Sequence, residues 1–175
     1  MITDKSQFIK KNITFADRYL AKYSSQKYFG KTTDSAYIGM LSEIICKDIM
    51  IENKLQILSY ERGETNDFLG LDILINSGTL KNYTVDIKGA YIKGENYNKI
   101  FLLKRGHVKQ NNMYALSFML KEGKDNYNLY FVGFIDKEIV DTLPFHELYK
   151  SWYFPLEENE FNKYKDKIIK LENIL

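Results

Sequence analysis

Residues 68–75 read FLGLDILI and residues 82–92 read NYTVDIKGAYI, and the fold turns on how these two stretches meet. Successive side chains on a strand point to opposite faces. In the first stretch Leu69, Leu71, Ile73 and Ile75 share one face, while Asp72 falls on the other between Gly70 and Leu74. In the second, Tyr83, Val85 and Ile87 share a face, and Thr84, Asp86 and Lys88 take the opposite one. The intervening Asn76-Ser77-Gly78-Thr79-Leu80-Lys81 has turn composition. A hairpin centred near Thr79 therefore sets Asp72 opposite Asp86. Opposed side chains have Cβ atoms roughly 5 Å apart, and like charges there are destabilising. A divalent cation removes that cost. Mg2+ suits the position because it accepts one or two carboxylates and keeps several waters. Lys88, in phase with Asp86, adds a fixed ammonium. A D-x-K tripeptide also occurs on solvated strand faces. Three features weigh against that here: Asp72 interrupts an apolar strand, Asp86 and Lys88 are in phase, and the turn sets the register.

Residues 34–53 (DSAYIGMLSEIICKDIMIEN) read as a helix, with Asp34 as its N-cap and Asn53 as its stop. Ala36, Ile38, Met40, Leu41, Ile44, Ile45, Ile49 and Met50 make it apolar around most of its girth, the pattern of a largely buried helix. Glu43 sits in the middle. A buried carboxylate without a partner is costly, and a metal-bound water or a lysine would satisfy it. The alternative is a narrow polar stripe that Glu43 shares with Lys47.

Glu43 within GMLSE, Asp72 within GLDILI, and Asp86 and Lys88 within VDIKG together resemble the signature of the PD-(D/E)XK nuclease superfamily, the restriction-endonuclease-like fold. The resemblance covers roughly residues 34–139. It implies a core running helix, strand, strand, strand, helix, strand. It also implies Mg2+ (Mn2+ substituting) held by Asp72, Asp86, Glu43 and the backbone carbonyl of Ile87, with Lys88 as the catalytic ammonium. Leu71 stands where many members carry a proline before the first aspartate, and the motif acid is Asp86 rather than the commoner glutamate. A Q-x-x-x-Y spacing from Gln110 to Tyr114, found on a helix in an exonuclease branch, straddles the start of a strand here and is set aside.

The chain has 175 residues, enough for one domain with a proper core. No apolar run reaches membrane-spanning length, and the N-terminus has no apolar segment of a secretory signal, so a cytoplasmic protein without membrane contact is expected. Cys46, alone, excludes an internal disulfide and a multi-cysteine zinc site. Two histidines, His107 and His146, are too few for a clustered-His zinc enzyme. The net charge of +2 is unevenly spread. Residues 1–33 carry seven basic groups against Asp4 and Asp17, and residues 81–109 carry seven against Asp86 and Glu95. Phosphate contact needs such segments. The most basic polar stretch is 104–110, so Lys104, Arg105, His107, Lys109 and Gln110 are candidate nucleic-acid contacts.

Along the chain, the spacing predicts an amphipathic helix over 4–23, a loop over 24–33, a strand over 55–62 and a turn over 63–67. Strands follow at 114–120 and 127–135, with 94–98 as a loop and 100–104 as a short strand or helix start. A short helix at 136–143 ends before Pro144, and a final helix runs over 157–175. The expectation is an α/β protein of the mixed α+β kind, a central mixed β-sheet flanked by helices. It forms a single domain with a basic N-terminal part (1–33), a catalytic core (34–139) and a C-terminal helical extension (140–175). The expected activity is Mg2+-dependent hydrolysis of DNA phosphodiesters by a compact restriction-type or phage or mobile-element endonuclease acting as a homodimer. The alternatives are a junction or repair nuclease, an inactive nucleic-acid- or protein-binding module on the same fold, and an unrelated α/β protein whose acidic pairing is incidental.

Overall fold

The computed structural model describes residues 2, 4–30, 33–60, 71–93, 98–107, 110–124 and 126–175. The strands are β1 (Ile9–Asn12), β2 (Ile57–Ser59), β3 (Ile73–Ile75), β4 (Thr84–Tyr91), β5 (Lys99–Lys104), β6 (Met113–Lys121), β7 (Tyr127–Asp136), β8 (Phe145–His146) and β9 (Ser151–Pro155). The helices are α1 (Phe15–Phe29), α2 (Asp34–Glu52) and α3 (Glu158–Tyr164). Six strands form one sheet in the order β1-β7-β6-β4-β3-β2, and β5-β9-β8 form a second. β4 and β6 run parallel, and the other neighbours in the large sheet are antiparallel. The chain is thus a mixed α+β protein built on a mixed sheet.

The large sheet is the middle layer. On one face Ile45 and Ile49 of α2 pack with Val85, Ile87, Met113, Ala115 and Met119. On the other, Tyr114, Leu116 and Phe118 pack against Ile100 and Leu102 of β5, Phe154 of β9 and Phe161 of α3. Strand alternation delivers this: each residue of β4 and β6 goes to one layer and the next residue to the other. No helix among the described residues is long and apolar enough to cross a membrane.

Several boundaries differ from the sequence reading. The helix expected over 4–23 is a strand followed by a later helix. Thr14 caps α1 through a capping box with Asp17, its side chain accepting from the Asp17 N–H. The residues before it, held by Lys5 and Lys10 on Glu122, pair with the edge of β7. α1 therefore runs through the segment read as a loop and stops at Gly30, in a left-handed conformation at φ 65°. It turns Ala21 and Ser25 inward and leaves Phe15, Tyr19, Leu20 and Tyr23 exposed, so the apolar stripe read there does not face the core. α2 matches its expected span, with Thr33 rather than Asp34 as the cap and Asn53 as the stop.

The final helix breaks at Tyr164, because Ile169 exchanges backbone hydrogen bonds with Phe134 of β7. That exchange is possible where β7 bulges at Gly133, whose φ of 135° and whose closeness to Ile169 O (2.7 Å from a Cβ built there) exclude a side chain. The short helix after β7 is a 3-10 turn, Lys137–Thr142. The second sheet was not foreseen beyond its first strand. β2 spans only part of 55–62, and the turn read at 63–67 lies outside the described residues.

Gly89 in β4 sets how closely α2 can lie. A Cβ at Gly89 would stand 1.7 Å from Ser42 Oγ and 2.6 Å from Ser42 Cβ, so only glycine fits beneath this turn of the helix. Gly89→Ala should cost about 1–3 kcal/mol, as overpacking does, lowering Tm by several degrees. Adding Ser42→Gly should recover part of that loss. Denaturant titration of the two single variants and the double checks it. Strict additivity would contradict the contact.

Candidate functional site

β3 pairs with β4 in the register Ile73↔Val85 and Leu74↔Thr84, and the next step of that register is Asp72 opposite Asp86. The ladder ends there, short of the strand read over 68–75, whose residues 68–70 lie outside the described residues. The Asp72 N–H donates to the Val85 carbonyl at 3.0 Å. The Ile87 N–H, next in the ladder, donates to Asp72 Oδ2 at 2.7 Å. A side chain has replaced a backbone acceptor, and this ties Asp72 directly to the strand that carries Asp86 and Lys88.

Lys88 Nζ reaches Asp86 Oδ1 at 2.7 Å, with the Asp86 side chain 4 % and the Lys88 side chain 21 % exposed. Glu43 is buried in α2 and accepts from Lys47 Nζ at 2.6 Å, one turn later. Glu43 is thus buried near the hairpin carboxylates, with Lys47 as its lysine partner. The close seating of Ser42 on Gly89 puts the next residue, Glu43, within electrostatic reach of Asp72.

The consequence is visible at Asp72. Burial, then the charges of Asp86 and Glu43, push its carboxyl up from 3.8 to about 7, against a smaller opposing pull from Lys88 and the Ile87 N–H. Three acids and two amines therefore form one electrostatic unit. Two residues not among the site candidates read from the sequence border it. Tyr114 of β6 is the parallel-strand neighbour of Asp86, and its phenol is pushed up to about 12 by burial and then by Asp86. Cys46, wholly buried one turn after Glu43, has its thiol pushed up to about 12, chiefly by burial. It is an inert floor to the site. Only the pairing of β4 with β6, a contact between distant segments, could have pointed to Tyr114.

The donor set suits a hard cation, since all the candidate ligands are oxygens. Asp72 and Asp86 are the pair best placed to share one, with the Ile87 carbonyl on the same strand. Among the described residues no group of three or more His, Cys, Asp or Glu side chains is arranged to hold a metal ion. Lys88 and Lys47 already occupy oxygens of Asp86 and Glu43.

Of the residues read as nucleic-acid contacts, Lys104, Arg105 and His107 lie exposed at the end of β5 and in the turn after it. Lys104 ends β5 opposite Ser151, and the Arg105 guanidinium lies over the Phe145 ring at 4.4 Å. His107 is in an exposed turn, its N–H bonded to the Lys104 carbonyl. Lys109 lies outside the described residues. Gln110 lies at a polar pocket with Asp136, Glu138 and Asp141, a poor neighbourhood for phosphate. Three of the seven basic groups of the N-terminal segment are paired with carboxylates of the same molecule. Lys5 and Lys10 bind Glu122, and Lys11 bridges Asp48 and Glu52 at 3.2 and 2.7 Å. Compared with known proteins, the chain matches no protein-family model and no curated protein.

The raised Asp72 value has a signed consequence for stability. The folded protein keeps a proton on Asp72 up to about pH 7, whereas the unfolded chain loses it near 3.8. Between those values the folded state binds the extra proton, so its stability falls as pH rises. In EDTA, Asp72→Asn should therefore gain Tm relative to the parent chain between pH 5 and pH 8, by a few degrees. Melting curves that move in parallel for the two proteins would contradict the assignment.

Proposed function

We propose that the protein is a Mg2+-dependent nuclease of the PD-(D/E)XK kind that hydrolyses phosphodiester bonds in DNA. The observation that carries this reading is the burial of Asp72 beside Asp86 and Glu43 with Lys88 in contact, an arrangement that is unfavourable in isolation and useful around a cation. The element order adds support. α2, β2, β3 and β4 are followed by β6 laid parallel to β4, the run of helix and strands that the resemblance implies. One departure stands out: among the described residues, β5 takes the place of the helix expected before the last core strand. The finer description of the fold as restriction-endonuclease-like belongs to the same proposal.

In this reading Asp72, Asp86 and the Ile87 carbonyl would hold the ion, with Glu43 as a further carboxylate beside it. Mg2+, when bound, supplies Lewis-acid activation of water and of the scissile phosphate. Lys88, which contacts Asp86, would orient the attacking water and offset negative charge gathering on the phosphate oxygens. A lysine suits that task as a compact, mobile point charge. Asp72 must lose its proton to serve as a ligand, so Mg2+ affinity, and with it activity at subsaturating Mg2+, should rise with pH up to about 7. In-line attack would leave a 5′-phosphate and a 3′-hydroxyl. Cutting both strands of a duplex would call for two sites, hence a homodimer.

Asp86→Ala should abolish Mg2+-dependent nicking of plasmid DNA while DNA binding persists, and full activity in that variant would end the assignment. Lys88→Met separates the two roles of its site. Cleavage should fall by about a hundredfold or more, on the scale of losing one preorganised electrostatic group. Mn2+ uptake, read by calorimetry, should be undiminished because a competing internal cation is gone. Loss of Mn2+ uptake in Lys88→Met would show that Lys88 builds the site rather than acting in it.

A further inference from the structure

Beside the acidic centre lies a cleft of about 480 Å3, walled by the start of α2 (Asp34, Ser35, Ile38), the end of β4 (Gly89 to Tyr91) and the three-stranded sheet. Strand alternation puts Ala90 of this cleft on the same face as Asp86 and Lys88. That face is the one turned towards β5 and β9, so the cleft and the Asp86–Lys88 pair follow one another along β4. Phe101, His146 and Tyr149 form a ring cluster on the far wall, with centroids 5.7, 5.2 and 4.8 Å apart for the three pairs. The cluster opens to solvent: Phe101 is 37 % and Tyr149 55 % exposed. Two ammonium groups flank it. Lys99 Nζ stands over the Tyr153 ring at 5.1 Å. Lys93 Nζ stands over the Tyr91 ring at 5.1 Å and 3.4 Å from Asp34 Oδ2, in a pair exposed on both sides. An exposed pair of this kind is weak, so a phosphate can take Lys93 from Asp34.

We propose that this cleft receives an unpaired stretch of nucleic acid, with a base stacked on the Phe101–His146–Tyr149 rings and the neighbouring phosphates on Lys93 and Lys99. The inference rests on the nuclease reading and deepens it by naming the form of the substrate: a single strand, overhang or splayed end. The reason is geometric and chemical. In a duplex the base faces are buried against each other, and only an unpaired base offers one to an aromatic ring. Base–aromatic stacking with a positively charged track is how single strands are held without sequence preference. The rings share the cleft with Gly89 to Tyr91, which follow Lys88 directly on β4, so a strand anchored there would continue its backbone along β4 toward the acids.

The test is fluorescence anisotropy with the full chain in EDTA, using labelled oligothymidylate, oligouridylate and a duplex of equal length. Oligothymidylate should bind more tightly than the duplex, and the oligouridylate arm tells whether the sugar matters. Tyr149→Ala should weaken single-strand binding about tenfold, the lower range for one stacked base, whereas Tyr149→Phe should bind as the parent does. Lys93→Gln with Lys99→Gln should flatten the salt dependence by about 1.4 in the logarithmic slope, for two phosphates on a single strand. Equal binding of duplex and single strand, or Tyr149→Ala binding as the parent chain, would overturn the proposal. Plasmid nicking run alongside keeps the two readings separate. Nicking without single-strand binding removes the cleft and leaves the nuclease. Single-strand binding without nicking on any substrate leaves the cleft and removes the nuclease.

Discussion

The burial of Asp72 next to two other carboxylates is the constraint around which the site is organised. A charge in that position loses its water and faces two like charges, and it stays protonated to about pH 7 in consequence. The fold supplies partial remedies to its neighbours: Lys88 holds Asp86, Lys47 holds Glu43, and the Ile87 N–H holds Asp72. Two positional facts make the crowding unavoidable. The β3–β4 register opposes Asp72 and Asp86, and the glycine at 89 lets α2 settle against β4 at Ser42, which carries Glu43 down to the same level. Both faces of the sheet are packed with aliphatic and aromatic side chains, so the hairpin has little freedom to relax the repulsion. A close-packed interior transmits such strain rather than dissipating it.

The part of this arrangement that could be read from the sequence is the local part. Alternation in 68–75 and 82–92 and a turn rich in Asn, Ser and Gly give the hairpin and its register, because both depend on near neighbours. Glu43 is legible as the acid in the middle of a helix that is apolar around most of its girth. What escaped depends on contacts between distant segments. Tyr114 meets Asp86 only through the parallel β4–β6 pairing. The β5-β9-β8 sheet joins residues about fifty positions apart. The stripe read over 4–23 mixed two elements. Phe8 and Ile13 belong to the buried border of a strand, while Tyr19, Leu20 and Tyr23 lie exposed on a helix that begins after Thr14. The terminal helix failed for a related reason, since one backbone pairing with Phe134 outweighs the helical spacing of Phe161, Tyr164, Ile168 and Leu171.

Charge proved the least transferable signal. The surplus of basic residues in 1–33 suggested phosphate contact, yet Lys5, Lys10 and Lys11 are engaged by Glu122, Asp48 and Glu52. Glu122 gathers Tyr130, Lys10 and Lys5, which hold its carboxyl down at about 2, and so fastens the N-terminal strand to the β6–β7 turn. In the β4–β5 region, Lys93 and Lys99 stand beside rings, Lys93 also beside Asp34. The acidic centre and the aromatic cleft thus share α2 and β4, and a ligand spanning both would run along β4 from its end toward Asp86.

The most direct measurement of the central claim is the titration of the Asp72 carboxyl by carbon-13 NMR, with and without Mg2+. The account predicts a midpoint near 7 in the metal-free protein and a marked fall when Mg2+ is added, because a bound cation favours the charged form. A midpoint near the ordinary 3.8 in the absence of metal, or one that Mg2+ does not move, would contradict it.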